Sequence, residues 1–377
     1  MSLAPAPSQR RRDCTQAPRS HAQSIPAPAR PVTTAWDCTR GGRGQGMNGC
    51  TGFTCLRPLM RALGVVCLTL TFSGCITIDI PWGKPGKLQE TVVEGEGRPK
   101  IALIEIEGLL REVARPTRLG LGEDESPVAR VRAQLDKAAA DDAVKAVVLR
   151  IHSPGGTATA SDIIYGEIQR FKAKKPVPVV AQLMGIATSG AYYAAMAADR
   201  VYAQPTTVTG SIGVIFTGIN VSGFMEKLGL TDQTITTGPY KDVGSPLRRM
   251  TPEERALVQS VINDLYQRFV VVVKAGRPQL TSGRIAELAD GRIYSAPQAL
   301  ANGLIDGISD LPSTLAEVRR RAGLEEARVV TYHRRREWRE NLYTLPPAAG
   351  TPALDPTNLL DLLPTPTFAY LWWPGID

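Results

Sequence analysis

The chain has 377 residues, 43% of them hydrophobic, and a formal net charge of +8. That length supports one large or two modest domains with a sizeable core. The charge is badly placed for a nucleic-acid surface: eight Arg and two Asp fall in residues 1–59, Arg61 adds one more, and residues 75–377 carry only +1, which argues against a phosphate-backbone partner.

The six cysteines are Cys14, Cys38, Cys50, Cys55, Cys67 and Cys75, and none lies beyond position 75. The body therefore needs no disulfide and has no Cys-based metal site. Its histidines are His152 and His333, so no His-rich metal centre and no cofactor is expected. Residues 1–59 are rich in Arg, Pro, Gly and Ser and read as a disordered or wrongly included extension, with Met47 or Met60 as the expected start. From Met60, "MRALGVVCLTLTFSGC" gives a basic residue, an apolar run over Ala62–Phe72, then Ser73-Gly74-Cys75. The run is too short to span a bilayer as a helix and suits a signal-peptide core over 60–74. It resembles a bacterial lipobox, in which Cys75 is lipidated; Phe72 departs from the usual aliphatic. Residues 75–98 then form a tether.

From residue 100 strand and helix patterns alternate. "KIALIEIEG" (100–108) reads as a strand, 127–142 as a helix, "VKAVVLRI" (144–151) as a buried strand, 160–175 as a helix, and "VPVVAQLM" (177–184) as a strand. A further strand is predicted over 200–205. Thr251-Pro252-Glu253-Glu254 supplies an N-cap, Pro at the first helical position and a capping-box Glu for a helix to about Lys274. A short helix starts near Ser295. This alternation predicts an α/β fold with a parallel or mixed sheet and flanking helices. The chain closes on "FAYLWWPGID" (368–377), whose aromatic residues suit a subunit contact or a membrane interface.

Two turns follow strands and carry candidate chemistry. "RIHSPGGTATASD" (150–162) places Gly155-Gly156 between a strand and a helix, where backbone N–H groups can face a ligand without a Cβ in the way. "ATSGAYYAAMAADR" (187–200) puts Ser189-Gly190 ahead of a run of small residues, either a helix N-cap or a held nucleophile. It lacks the glycines of a G-x-S-x-G elbow, and there is no S-x-x-K. His333 in "YHRRREWRE" reads as part of a solvated face and His152 as structural, so histidine is a poor base candidate.

"IHSPGG", "ATSGAYYAA" with "TVTGSIGVI" (207–215), "GPYKDVGSP" (238–246) and "DGRIYSAPQALANGLIDGI" (290–308) resemble, in order over about 100–325, the signal peptide peptidase A or protease IV family of serine peptidases. The resemblance implies the Clp-protease/crotonase fold for a domain over 99–325, with 326–377 as a C-terminal tail. It implies Ser189 as nucleophile and Lys241 as general base, with Ser211 orienting the lysine. Gly155 or Gly156, with the amide of Gly190, matches the oxyanion hole. Lys241 must then work as the neutral amine, with Asp242 facing away from it along an extended segment. The single core implies a ring-shaped homo-oligomer, and His152 departs from the usual Asn or Asp. The function so implied is a membrane-anchored endopeptidase of the bacterial cell envelope, its catalytic domain outside the cytoplasm, cutting cleaved signal peptides and other unfolded hydrophobic chains. A crotonase-like acyl-CoA enzyme would need a catalytic carboxylate and a cytoplasmic location. A non-catalytic scaffold would not need Ser189 and Lys241.

Overall fold

A computed structural model of the chain describes residues 86–116, 123–334, 341–343 and 367–372. The chain divides into the units Met1–Ile78 and Asp79–Asp377, and every described residue belongs to the second. Cys75 and the leader over 60–74 lie outside the described residues.

In chain order the elements are β1 (Gln89–Glu94), β2 (Lys100–Glu107), β3 (Arg115–Pro116), β4 (Glu123–Asp124), α1 (Pro127–Ala140), β5 (Val144–Ser153), β6 (Gly155–Thr157), α2 (Ala158–Lys174), β7 (Val179–Thr188), α3 (Gly190–Ala195), β8 (Arg200–Ala203), β9 (Val208–Gly210), β10 (Ile215–Thr217), α4 (Ser222–Lys227), α5 (Pro252–Gly276), α6 (Ser282–Leu288), β11 (Ile293–Ser295), α7 (Ala296–Ala301), β12 (Gly307–Ile308), α8 (Leu311–Arg321), β13 (Arg328–His333) and β14 (Thr367–Leu371). The main sheet runs β1-β13-β2-β5-β7-β8-β12, with β9 beside the end of β7 and β11 beside β9. It is parallel throughout except for β1 on β13 and β11 on β9. A second, antiparallel sheet has the order β10-β14-β6.

The central strands are apolar on both faces because helices cover both. In β5, Val144 and Ala146–Ile151 are all buried, as a parallel strand between two helix layers requires. One face packs on α1, α2, α3 and α5 through Ile104, Leu149, Ile164, Tyr192 and Phe269; the other packs on α8 through Ile101, Val148, Val180, Leu315 and Val318. The α5 start carries the predicted capping box: Thr251 Oγ1 accepts from Glu254 N, and the Glu254 carboxylate accepts from Thr251 N.

Two boundaries differ from the sequence reading. The segment taken as a tether to 98 contains β1, and the tail taken to begin at 326 contains β13. The reason is edge cover: β13 pairs in parallel with β2, and β1 covers the far side of β13, so the buried β13 is not left as an edge strand. His333, read as solvated, is buried at the end of β13 and shares a 2.8 Å hydrogen bond with Thr91.

Behind α3 the sheet is tied down by Asp306, which accepts from Arg277 Nη1, Arg200 Nη1 and Val201 N, each at 2.8 Å. Burial pushes its carboxyl up. The Arg277 charge, the Val201 amide and Arg200 outweigh that, and the net displacement is below the ordinary 3.8. A depressed folded-state value means that Asp306 contributes stability above pH 3.8, lost as the pH falls through the folded value. We predict that Asp306→Asn lowers unfolding free energy by about 3 kcal/mol near neutral pH, because Arg277 is left buried without its anion. The gap to wild type should close on acidification below about pH 4; urea unfolding at a series of pH values measures both.

Candidate active site

The strand β7 ends by delivering Ser189 into a backbone conformation that L-residues avoid. Ser189 has φ 53° and ψ −117°, and Ser211 has φ 51°; they are the non-Gly residues with positive φ among those described. The two are joined: Ser189 N donates to Gly210 O at 2.7 Å, and Thr188 pairs with Gly210 in the β7–β9 register. Ser211 N in turn donates to Arg292 O at 2.8 Å. Strain of about 1–3 kcal/mol at each such residue persists only where the surroundings enforce it, and such residues gather at functional sites.

Ser189 is 1% exposed, and its Oγ makes no hydrogen bond among the described residues. It is therefore not the N-cap that its place before α3 allows, since no side-chain bond reaches that helix. A buried hydroxyl without a partner is destabilising. The helix behind it is held close by small residues and two tyrosines. Tyr192 OH donates to Leu304 O at 2.7 Å and Tyr193 OH to Asp162 Oδ1 at 2.5 Å. Burial pushes the Tyr192 phenol up to about 12 and raises Tyr193 as well, so both are neutral packing groups.

The Gly155-Gly156 turn faces Ser189. Gly155 has φ 100°, and a Cβ there would collide with the Tyr370 carbonyl oxygen and stand 2.8 Å from Gly190 N and 3.2 Å from Ser189 Cβ. Gly156 is sterically fixed by the Leu110 carbonyl, and Gly190 by Ser161 Oγ. Gly155 N is committed to Ser153 Oγ at 3.0 Å, so of the two turn glycines it is Gly156 whose N–H faces outward. His152 sits beneath, its Nδ1 accepting from Ile186 N at 3.4 Å.

An extended segment already lies on this turn. β14 pairs antiparallel with β6, Tyr370 opposite Gly156 and Leu371 opposite Gly155, and Trp372 N donates to Pro154 O at 2.9 Å. Antiparallel alternation then makes Gly156 N the donor to the Tyr370 carbonyl. The same oxygen is 3.0 Å from where a Gly190 Cβ would be. The Tyr370 ring stacks on Tyr193 with centroids 5.2 Å apart and sits tilted against Phe269 at 4.8 Å, while its hydroxyl donates to Leu265 O at 2.7 Å. Sequence reasoning sent the aromatic tail to a partner subunit or a membrane; Tyr370 instead packs inside its own chain.

No hydrogen bond joins Lys241 to Ser189. Lys241 lies exposed in the turn around 238–244, and its amine makes no hydrogen bond or ion pair among the described residues. Asp242 turns to Arg248, which donates to both of its oxygens at 2.6 and 2.7 Å. The partner of Asp242 that sequence reasoning missed is Arg248; its signal was an opposite charge six positions on, in "KDVGSPLRR".

Because Ser189 is strained, Ser189→Gly should relieve φ whereas Ser189→Ala should not. We predict the Gly variant to be more stable than the Ala variant by about 1 kcal/mol, read from paired urea-unfolding curves.

The sequence profile of peptidase family S49 matches residues 169–325, and that of Clp protease matches residues 115–209. The chain is 36% identical over 244 residues to an Enterococcus faecium protein named for signal peptide peptidase SppA, covering 65% of this chain and 70% of that protein. It is 35% identical to the chloroplastic serine protease SPPA of Arabidopsis thaliana, over 50% of this chain and 27% of that one. It is 33% identical to protease 4 of Salmonella typhi, over 51% and 31% respectively. With these matches on a Clp-like α/β fold whose strained serine faces a glycine turn, the chain belongs to peptidase family S49, the serine peptidases of the signal peptide peptidase A and protease 4 kind.

Proposed function

We propose that the chain is a serine endopeptidase with a Ser189–Lys241 dyad, acting on cleaved signal peptides and other unfolded hydrophobic chains. The observation that carries the reading is the pairing of a strained, unpartnered Ser189 with a groove that holds an extended strand, its carbonyl oxygen on Gly156 and beside Gly190. A substrate strand in the place of β14 would add to β6 by main-chain hydrogen bonds. The Lys241 amine takes the proton from Ser189 Oγ as Oγ attacks the peptide carbonyl carbon. The oxyanion is received by the Gly156 and Gly190 amides. Lys241 returns the proton to the departing amine, and water then releases the acyl group from Ser189. Ser211, one residue from the Gly210 carbonyl that holds Ser189, orients the amine in this reading.

Since Ser189 Oγ has no partner and Lys241 is exposed, the dyad in this reading is completed in a ring-shaped homo-oligomer, where the exposed segment carrying Lys241 packs on a neighbour. Ile219, Phe224, Leu228, Leu230 and Ile235 on that segment are all exposed, a concentration of apolar surface that marks an interface. No helix among the described residues is long and apolar enough to cross a membrane; the anchor in this reading is lipid on Cys75, which holds the peptidase in the bacterial cell envelope.

The experiment is hydrolysis of an apolar signal-peptide substrate by purified variants. Ser189→Ala and Lys241→Ala should each lose at least about a hundredfold in rate, the scale of a lost general base, with the assembly intact. Lys241→Arg should fail too, because a guanidinium does not give up its proton near neutral pH. A Lys241→Ala enzyme retaining a tenth or more of the wild-type rate would rule out the dyad.

A further inference from the structure

The turn that carries Lys241 is joined to α5 by one arginine. Arg248 donates through Nε and Nη2 to both oxygens of Asp242, at 2.6 and 2.7 Å. Its Nη1 donates to Glu254 Oε2 at 2.9 Å, and its Nη2 also pairs with Glu254 Oε1. Glu254 is itself fixed, because it closes the capping box of α5 with Thr251. The charged groups of this cluster are thus Asp242 on the lysine turn, Arg248 after it and Glu254 at the helix start; Arg249 and Glu253 flank them and are exposed. The bidentate fork is the geometry in which an arginine takes a carboxylate out of competition for other cations. In accord with it, the hydrogen bonds from Arg248 hold the Asp242 carboxyl below the ordinary carboxylate value.

We propose that Arg248 is a positioning residue for the catalytic base: it occupies the carboxylate next in sequence to Lys241, so that the amine is left without an anion that would hold its proton. The inference rests on Lys241 being the base. A carboxylate beside an amine stabilises the ammonium form and raises its pKa, and a base that must be neutral then works only at higher pH. The fork also ties the lysine turn to the capped end of α5, so the same side chain fixes where the amine is carried.

The test is the pH dependence of kcat/KM for the full chain carrying Arg248→Gln, Asp242→Asn and both together. Releasing Asp242 in Arg248→Gln should move the acid limb of the profile up by about 1 pH unit, which is about a tenfold loss of rate on the acid side. Asp242→Asn in the same chain should bring the limb back, because the released carboxylate is gone. A merely structural role for Arg248 lowers the rate without moving the limb and gains nothing from the second substitution. Arg248→Lys covers a folding failure: one ammonium cannot take both carboxylate oxygens, so it should move the limb in the same direction by less, again reversed by Asp242→Asn. An unmoved limb, or a shift that Asp242→Asn does not reverse, overturns the inference while Lys241→Ala remains dead and the dyad stands. If Lys241→Ala is active, the dyad falls and the inference falls with it.

Discussion

One backbone hydrogen bond organises the site: Ser189 N to Gly210 O, 2.7 Å long. It couples the end of β7 to the end of β9 and leaves a serine with positive φ on each side of it. Neither conformation is one that a serine takes by itself. Each is imposed by what surrounds it. β7 is pinned between β5 and β8 over its first half and passes to β9 over its last three residues. Arg292 O, at the start of β11, fixes the amide of Ser211 from the far side.

The energy that holds this strain comes from the core beneath it. Helix α3 is buried along its whole length, and Gly190 approaches Ser161 so closely that no side chain fits between them. Gly276 at the end of α5 leaves equally little room beside Met196. Asp306 and Tyr192 then lock α5, β8 and the loop before β12 into one unit. Ser189 is thus built on rigid elements, whereas Lys241 sits on an exposed turn.

Much of this was legible in the sequence, and the parts that were not have physical reasons. The alternation of apolar runs with helical patterns located β2, α1, β5, α2 and β7 within a few residues, since a parallel sheet buried on both faces leaves that signature. The capping box at Thr251 fixed the start of α5 because its chemistry is local. The glycine turn and Ser189 were legible as motifs, but the strain was not, because serine is not chosen for positive φ and only the β7–β9 pairing demands it. β14 was illegible for the opposite reason: its meaning lies in a pairing with β6 from the far end of the chain. "FAYLWW" alone does not distinguish a membrane belt from a strand over a glycine turn. β13 was hidden by its neighbours, for "YHRRRE" dilutes a buried strand with charge. Asp242 was expected to turn away from Lys241, and it turns to Arg248, a specific partner that backbone alternation does not name.

The central claim is that Ser189 is a nucleophile activated at this turn. The most direct measurement is reaction of the purified chain with a fluorophosphonate, followed by peptide mapping of the adduct. The account predicts one phosphonyl group per chain, on Ser189, with the reaction lost in Lys241→Ala. Absence of any adduct on active protein, or an adduct on a different serine, would contradict it.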